Sequence, residues 1–315
     1  MKTEGLGHGI YCVDLGYGEY VRLSSGYIIQ DEKLVIVECG ASPSKNRILN
    51  ALADIGASPK DVDAIIVTHI HLDHSGGAGY LLDEMTRARV LVHERGAPHL
   101  IEPEKLVASS RMVYGEQFDM FFSPVVPVPK DRVTVVGEGD TFEIGKERKL
   151  RFYDAPGHAL HHLFVYDPVS EGIFTGDAAG VFYREIKEKY DVEFCIPTTT
   201  PTQFDPETMI KTMDRMLSLK PKHFYYTHFG ESDKPKDRVE DVKRWLPVYH
   251  NDAVAIYRET KSEEAVIGFL REKHQEWLVG NGVPKSAVDE LHVDMDVRLN
   301  ALGIVAYALR LDKQK

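Results

Sequence analysis

At 315 residues the chain has the length of about two ordinary domains. Its composition, 43% hydrophobic and 28% charged with 25 Gly and 16 Pro, is that of a folded globular protein and excludes disorder, collagen and low complexity. The balance of 38 Lys and Arg against 49 Asp and Glu, a net −11, argues against nucleic acid or an anionic membrane as partner.

Cys12, Cys39 and Cys195 are odd in number and form no CxxC, so a disulfide framework and a zinc ribbon are not expected. They fit a reducing cytoplasm. The N-terminal MKTEGLGHGIYCVDLG has no continuous apolar core of the kind export signals carry, and no stretch nears the length of a membrane span. A cytoplasmic location without a membrane anchor is therefore the expectation.

In chain order, residues 10–15, 27–30 and 34–39 read as short strands, the last (LVIVEC) apolar enough to be buried. Ile48, Leu49, Leu52 and Ile55 then recur at helical spacing, with Gly56 placed to stop the helix. DAIIVT, 63–68, returns to a buried strand. Strand, helix, strand demands a crossover and hence a partly parallel sheet, so the class is α/β or mixed α+β. A helix is expected from about Ser75 or Gly76, a strand over 90–92, and broken helix over 94–116. FDMFFSPVVPVPK, 118–130, has too many prolines for a central strand and reads as an ordered loop over a cleft.

Further strands are expected at 133–136, 150–154, 163–166 and 172–175, as though the first half's layout were repeated. A helix over 206–219 carries Met209, Met213 and Met216 on one face, and HFYYT, 223–227, is a strand ending at His228. Beyond Gly230 the chain is charged, without strand signal, and helical around Ile267, Leu270, His274 and Leu278. The spacing of Val288, Leu291, Met295, Leu299, Leu302, Ala306 and Leu309 is close to a heptad, which allows docking on the rest of the chain or pairing of two copies as a homodimer. The expected division is a catalytic domain over 1–230 and a helical extension over 231–315.

Fourteen histidines are many for this length, and their grouping carries the chemistry. His69, His71, Asp73 and His74 fall within six residues. At a strand end His69 and His71 point to one side, while Asp73 and His74 occupy the following turn and can serve a second centre. APGH ending at His158, TGD ending at Asp177 and TH ending at His228 each follow an expected strand. Five His and two Asp suit two adjacent metal sites with open positions better than one closed structural site.

With THIHLDHSGG (68–77), PGH (156–158), TGD (175–177) and TH (227–228) in that order, the sequence resembles the metallo-β-lactamase superfamily over about 10–230. The resemblance implies a four-layer αββα sandwich with metals at one edge of its sheets. It implies one metal on His69, His71 and His158, a second on Asp73, His74 and His228, and Asp177 between them. The ions would be two divalent cations, zinc first, with iron or manganese as alternatives. Such a pair supplies a bridging hydroxide near neutral pH, with Asp73 accepting its hydrogen bond as a catalytic residue. The activity implied is hydrolysis of a small ester, lactone or thioester.

Departures narrow that reading. Lactone-opening members commonly carry Tyr three residues after the bridging aspartate, where this chain has Gly180. Oxygen-reducing diiron members carry Glu in place of His71, and persulfide dioxygenases use a single iron, so iron redox chemistry is the alternative function. Phe182 and Tyr183 are expected to face an apolar substrate, together with Phe194, Tyr114 and the FDMFF run. His161 and His162 are placed to orient a ligand from behind.

Overall fold

The computed structural model describes residues 3–18, 20–201, 203–288 and 293–313. Leu291, one of the heptad positions, lies outside them. The chain forms two compact units that interleave in sequence, the first made of residues 1–154, 161–176 and 220–233, the second of 155–160, 177–219 and 234–315.

Strands β1 (Glu4–Gly7), β2 (Ile10–Asp14), β3 (Ser25–Gln30), β4 (Leu34–Val37), β5 (Val62–Ile66), β6 (Arg89–His93) and β7 (Val133–Val136) make one sheet of the first unit, in chain order. The hairpins β1 to β4 pair antiparallel, and β4 to β7 pair parallel with crossovers between them. The second sheet contains β8 (Thr141–Glu143), β9 (Lys149–Asp154), β10 (Leu163–Asp167) and β11 (Gly172–Gly176). The two-residue strands β12 (Val181–Phe182) and β13 (Cys195–Ile196) pair in the second unit. Then β14 (His223–Tyr226) joins β11 in parallel and β15 (Gly230–Ser232) closes the edge of the second sheet.

Alternation along the strands sorts the core into two layers. On one face of the first sheet Tyr27, Val35, Val37, Ala64 and Ile66 pack with Phe152, Val165 and Phe174 of the second sheet. On the other face Ile28, Ile36, Ile65 and Val90 pack with Ile48 and Leu52 of α1 (Lys45–Asp54), and with Ala78 and Leu81 of the helical turn α3 (Ala78–Leu81), which follows the turn α2 (Leu72–Ser75). Helix, sheet, sheet is thus the layering of the first unit. α1 ends where expected, at Gly56 with φ +73. Strands expected from alternation are all present. β1, β8 and β15, none longer than four residues, carry no period and are additions to the expected set; β15 falls in a region that reads as strand-free.

The remaining helices of the first unit are α4 (Ala97–Ile101), α5 (Glu104–Tyr114) and α6 (Phe118–Phe122). FDMFF is therefore helix and not loop; Phe118, Phe121 and Phe122 recur at three and four residues and all are buried. The proline-rich stretch after it, 123–129, has no regular secondary structure.

The second unit is helical: α7 (Arg184–Tyr190), α8 (Pro206–Ser218), α9 (Pro235–Pro247), a π-helical turn over Val248–Ala253, α10 (Val254–Thr260), α11 (Glu263–Gly280), α12 (Lys285–Val288) and α13 (Val293–Lys313). Val297, Ala301, Ile304 and Ala308 of α13 are buried with Val266, Ile267 and Leu270 of α11; the expected heptad positions Met295, Leu299, Leu302 and Ala306 are only half-buried and Leu309 is exposed, so the covered face of α13 lies beside the stripe read from the sequence. Among the described residues no helix is long and apolar enough to cross a membrane.

Each unit offers a test of what holds its core. The Tyr27 hydroxyl, 1% exposed, reaches the Tyr226 carbonyl at 2.5 Å and the Gly230 carbonyl at 3.0 Å, tying the two sheets together. Tyr27→Phe keeps the ring but removes that donor, and should lower the unfolding free energy in urea by about 1–3 kcal/mol. In the second unit, burial pushes His274 down to about 3, and the Tyr249 hydroxyl lies 3.0 Å from its Nε2. The unfolded chain, with histidine near its ordinary value of about 6.5, binds this proton first. Stability contributed by neutral His274 is present above about pH 6.5 and lost as pH falls toward about 3. His274→Phe should flatten the decline of melting temperature across that window.

Candidate metal centre

The C-terminal ends of parallel β4 and β5 lie side by side, and β14 in the facing sheet ends on the same edge of the core. Just past β4, Glu38 adopts φ +63 and is 1% exposed. A carboxylate buried so deeply needs several donors, and it has four. Thr68 N reaches Oε1 at 2.6 Å, Thr68 Oγ1 and Thr227 Oγ1 each reach Oε2 at 3.1 Å, and His74 Nδ1 makes a short bond to the same oxygen. Residues from three strand ends thus converge on one side chain.

That network sets the ring tautomers. His74 donates Nδ1–H to Glu38, which makes Nε2 its acceptor nitrogen. Thr68 Oγ1, having given its hydrogen to Glu38, accepts from His69 Nδ1 at 3.1 Å, so His69 also presents Nε2 as an acceptor. His228 donates Nδ1–H to the Leu23 carbonyl at 2.7 Å, and its Nε2 stands 3.4 Å from Asp73 Oδ2. His74 Nε2 is 3.6 Å from the same oxygen. His69 Nε2 lies 2.8 Å from His71 Nδ1.

Within the first unit, then, Asp73, His74 and His228 bring ligand atoms within 4.8 Å of one another, as do Glu38, His69 and His74. Imidazole acceptors and carboxylate oxygens directed together are the donor set a divalent cation takes. The residues fit the metal.

His158 and Asp177 lie in the second unit, four residues past the end of β9 and one past the end of β11. Thr198 Oγ1 donates to the Asp177 carbonyl at 3.0 Å and so accepts from His158 Nδ1 at 2.8 Å. His158 Nε2 is thereby the acceptor nitrogen, 3.3 Å from Asp177 Oδ2. The neighbouring Thr199 exchanges bonds with Asn300 of α13, N to Oδ1 and Oγ1 to O, both at 2.8 Å.

His162 stacks on His69 with centroids 4.7 Å apart, and His161 meets His71 edge-on at 5.6 Å. Burial, helped by the neighbouring His71, His99 and His93, pushes His161 down to about 3. All three cysteines are buried thiols without a disulfide; burial pushes the Cys39 thiol well up, which makes it inert.

Phe182 and Tyr183 are 5% and 8% exposed within the second unit. Arg238 lies over the Phe182 ring, and the Tyr183 hydroxyl makes a short bond to Asp296. Phe194 is fully buried there. The aromatic surface that borders a metal-ligand candidate in the first unit comes instead from Tyr17 and from Phe121, the latter inside the FDMFF run, beside Asp73.

Two groups with a clear task carry little sequence signal. Glu38 has one mark, a lone carboxylate closing an otherwise apolar strand. Thr198 has none beyond lying in a run of three threonines.

Residues 20–228 match the family described as Metallo-beta-lactamase superfamily. The chain belongs to that superfamily and has its mixed α/β fold, with additional C-terminal helices. It is 30% identical over 242 residues to the metallo-beta-lactamase fold-containing protein ST1585 of Sulfurisphaera tokodaii, an alignment covering 76% of this chain and 84% of that one. The crystal structure of ST1585 from Sulfolobus tokodaii superposes with a TM-score of 0.62 at 29% identity, covering 76% and 86%. A metallo-beta-lactamase family protein of Thermus thermophilus, TTHA1429, shares the fold over 98% of this chain and 95% of its own, with a TM-score of 0.67 at 19% identity. The "Probable metallo-hydrolase MJ0888" of Methanocaldococcus jannaschii is 26% identical over 163 residues, 51% of this chain and 68% of that one.

Glu38→Gln replaces an acceptor-only anion with a neutral amide and weakens the hold on His74. Loss of such a partner costs about 10–100-fold in metal affinity. Competition with a chromogenic chelator should read a drop of that size for zinc, with the far-ultraviolet circular dichroism spectrum unchanged.

Proposed function

We propose that this protein is a dinuclear metal-dependent hydrolase acting on a small ester, lactone or thioester. His69, His71 and His158 would hold one divalent cation, Asp73, His74 and His228 the other, and Asp177 would lie between them. The observation that carries this reading is the set of hydrogen bonds to Glu38, Leu23 O, Thr68 and Thr198, which turns the Nε2 of His69, His74, His158 and His228 into acceptors. When bound, the cations supply a nucleophile at neutral pH and polarise the scissile carbonyl.

The protein's own part is positional. Glu38, Thr68, Thr198 and the Leu23 carbonyl fix ring orientation, so that ligands meet the ions without reorganisation. Asp73, 17% exposed at its side chain, would both hold a cation and accept a hydrogen bond from the nucleophile at its carboxylate oxygens. Histidine at position 71, in place of a carboxylate, favours zinc and hydrolysis over iron and oxygen chemistry.

The −11 charge, which weakens attraction to phosphate backbones and anionic membranes, supports a small-molecule substrate over nucleic acid or a membrane. Three buried, unbridged cysteines support a cytoplasmic location. A homodimer through the C-terminal helices would have to use surface outside the covered face of α13, such as the exposed Leu309.

Elemental analysis of protein purified without added metal should give about two zinc ions per chain, with turnover on one class in a panel of lactones, esters, thioesters and phosphoesters. Stoichiometric iron with oxygen consumption and no hydrolysis would replace this reading with the redox one. His71→Ala and Asp177→Ala should each lose metal and at least about a hundredfold in kcat/KM. A metal-replete, fully active His71→Ala protein would sink the assignment.

A further inference from the structure

His158 sits in a turn that belongs to no helix or strand, so no backbone ladder fixes its ring. A second irregular stretch of the same unit does. Thr198 Oγ1 accepts from the ring Nδ1 at 2.8 Å and donates to the Asp177 carbonyl at 3.0 Å, and Thr200 Oγ1 donates to the His158 carbonyl at 2.7 Å. To either side, Asp205 N donates to Gly157 O at 2.8 Å and Gln203 Oε1 accepts from Leu160 N at 2.6 Å. The turn is only as well placed as the stretch that grips it.

That stretch is backed in turn by one side of α13. Asn300, Gly303, Tyr307 and Arg310 recur at three, four and three residues, which aligns them along the helix over about 15 Å. Asn300 is 3% exposed. Its Oδ1 accepts from Thr199 N and its carbonyl from Thr199 Oγ1, both at 2.8 Å. A Cβ on Gly303 would stand 2.2 Å from the same hydroxyl, so the approach requires glycine although glycine weakens a helix interior. Further along, Tyr307 meets the Phe204 ring at 5.5 Å, and Arg310 donates to the Phe204 carbonyl in a short bond.

Packing alone does not call for these residues. Ala301, Ile304 and Ala308, on the neighbouring side of α13, already bury it against α11. A buried asparagine is a cost unless its amide is bonded, and a glycine in mid-helix is another. Both are offset where Thr199 is held, one residue from the threonine that bonds the His158 ring. The match to the superfamily ends at 228, so α13 is outside the part of the chain that the family defines.

We infer that Asn300 and Gly303 are positioning residues for His158, acting through Thr199 and Thr198. The inference rests on the dinuclear reading for what His158 binds, though not for how its ring is held.

The test uses the full chain and two readouts. In metal-free protein, proton NMR follows the Nδ1–H of His158, a hydrogen-bonded ring proton assigned by its disappearance in His158→Gln. Its exchange with water should quicken at least about tenfold in Asn300→Ala and in Gly303→Ala, while Thr199→Ser, which keeps both bonds to Asn300, should match the wild type. In the second readout, a chromogenic chelator competing for zinc should find one ion held about 10–100-fold more weakly in the first two variants and the other unchanged. Ala308→Gly, which loosens α13 without touching Thr199, should lower the melting temperature and leave both readouts alone. Exchange unaltered in Asn300→Ala and Gly303→Ala overturns the inference, as does a wild type without the protected proton. Equal acceleration in Ala308→Gly at a matched melting temperature also overturns it, leaving α13 a general stabiliser. Faster exchange with both zinc affinities unchanged supports the positioning of the ring and removes His158 from the ligands, so that the dinuclear reading fails and this one stands.

Discussion

A single buried carboxylate holds the candidate centre of the first unit together. Glu38 stands at the end of a wholly apolar strand, where an unpartnered charge would cost several kcal/mol, and that cost is offset only when Thr68, His74 and Thr227 all turn their donors toward it. The same bonds decide which nitrogen of two histidines carries the proton. Fold stability and ligand chemistry are consequently one interaction here: weakening the network loosens the ends of β4, β5 and β14 and blurs the tautomers together.

The sheets explain why one carboxylate can reach so many partners. Parallel pairing of β4 with β5, and of β11 with β14, brings strand ends of the same polarity to one edge. Loops leaving that edge need not hold secondary structure and are free to carry chemistry. The rest of each strand is committed to packing, with Tyr27, Phe152 and Phe174 filling the space between the sheets.

What the sequence makes legible divides along physical lines. Strands with full alternation or continuous apolar runs, such as β4 and β5, are readable because burial on a defined face leaves a period. The short strands β1, β8, β12, β13 and β15 leave none, since their pairing is decided by their neighbours in the sheet and not by a pattern of their own. The candidate metal ligands are legible because a cation demands rare residue types at tight spacing, as in the run from His69 to His74. Their supports are not: Glu38, Thr198 and the Leu23 carbonyl are ordinary groups whose role arises only when strand ends meet. FDMFF reads as loop because the prolines after it dominate the pattern, whereas its own phenylalanines keep helical spacing. Phe182 and Tyr183, close to Asp177 in sequence, turn into the interior of the second unit, while Tyr17 and Phe121 meet from distant parts of the chain.

The bond pair between Thr199 and Asn300 links chemistry to a late part of the polypeptide. Thr198, next in line, orients His158, while Gly303 is so close that a side chain there would collide with Thr199. Helix α13 is therefore a splint for a histidine far upstream. A ribosome must add α13 before that histidine is held in place, which means the nascent protein emerges with this side chain unset and orients it late.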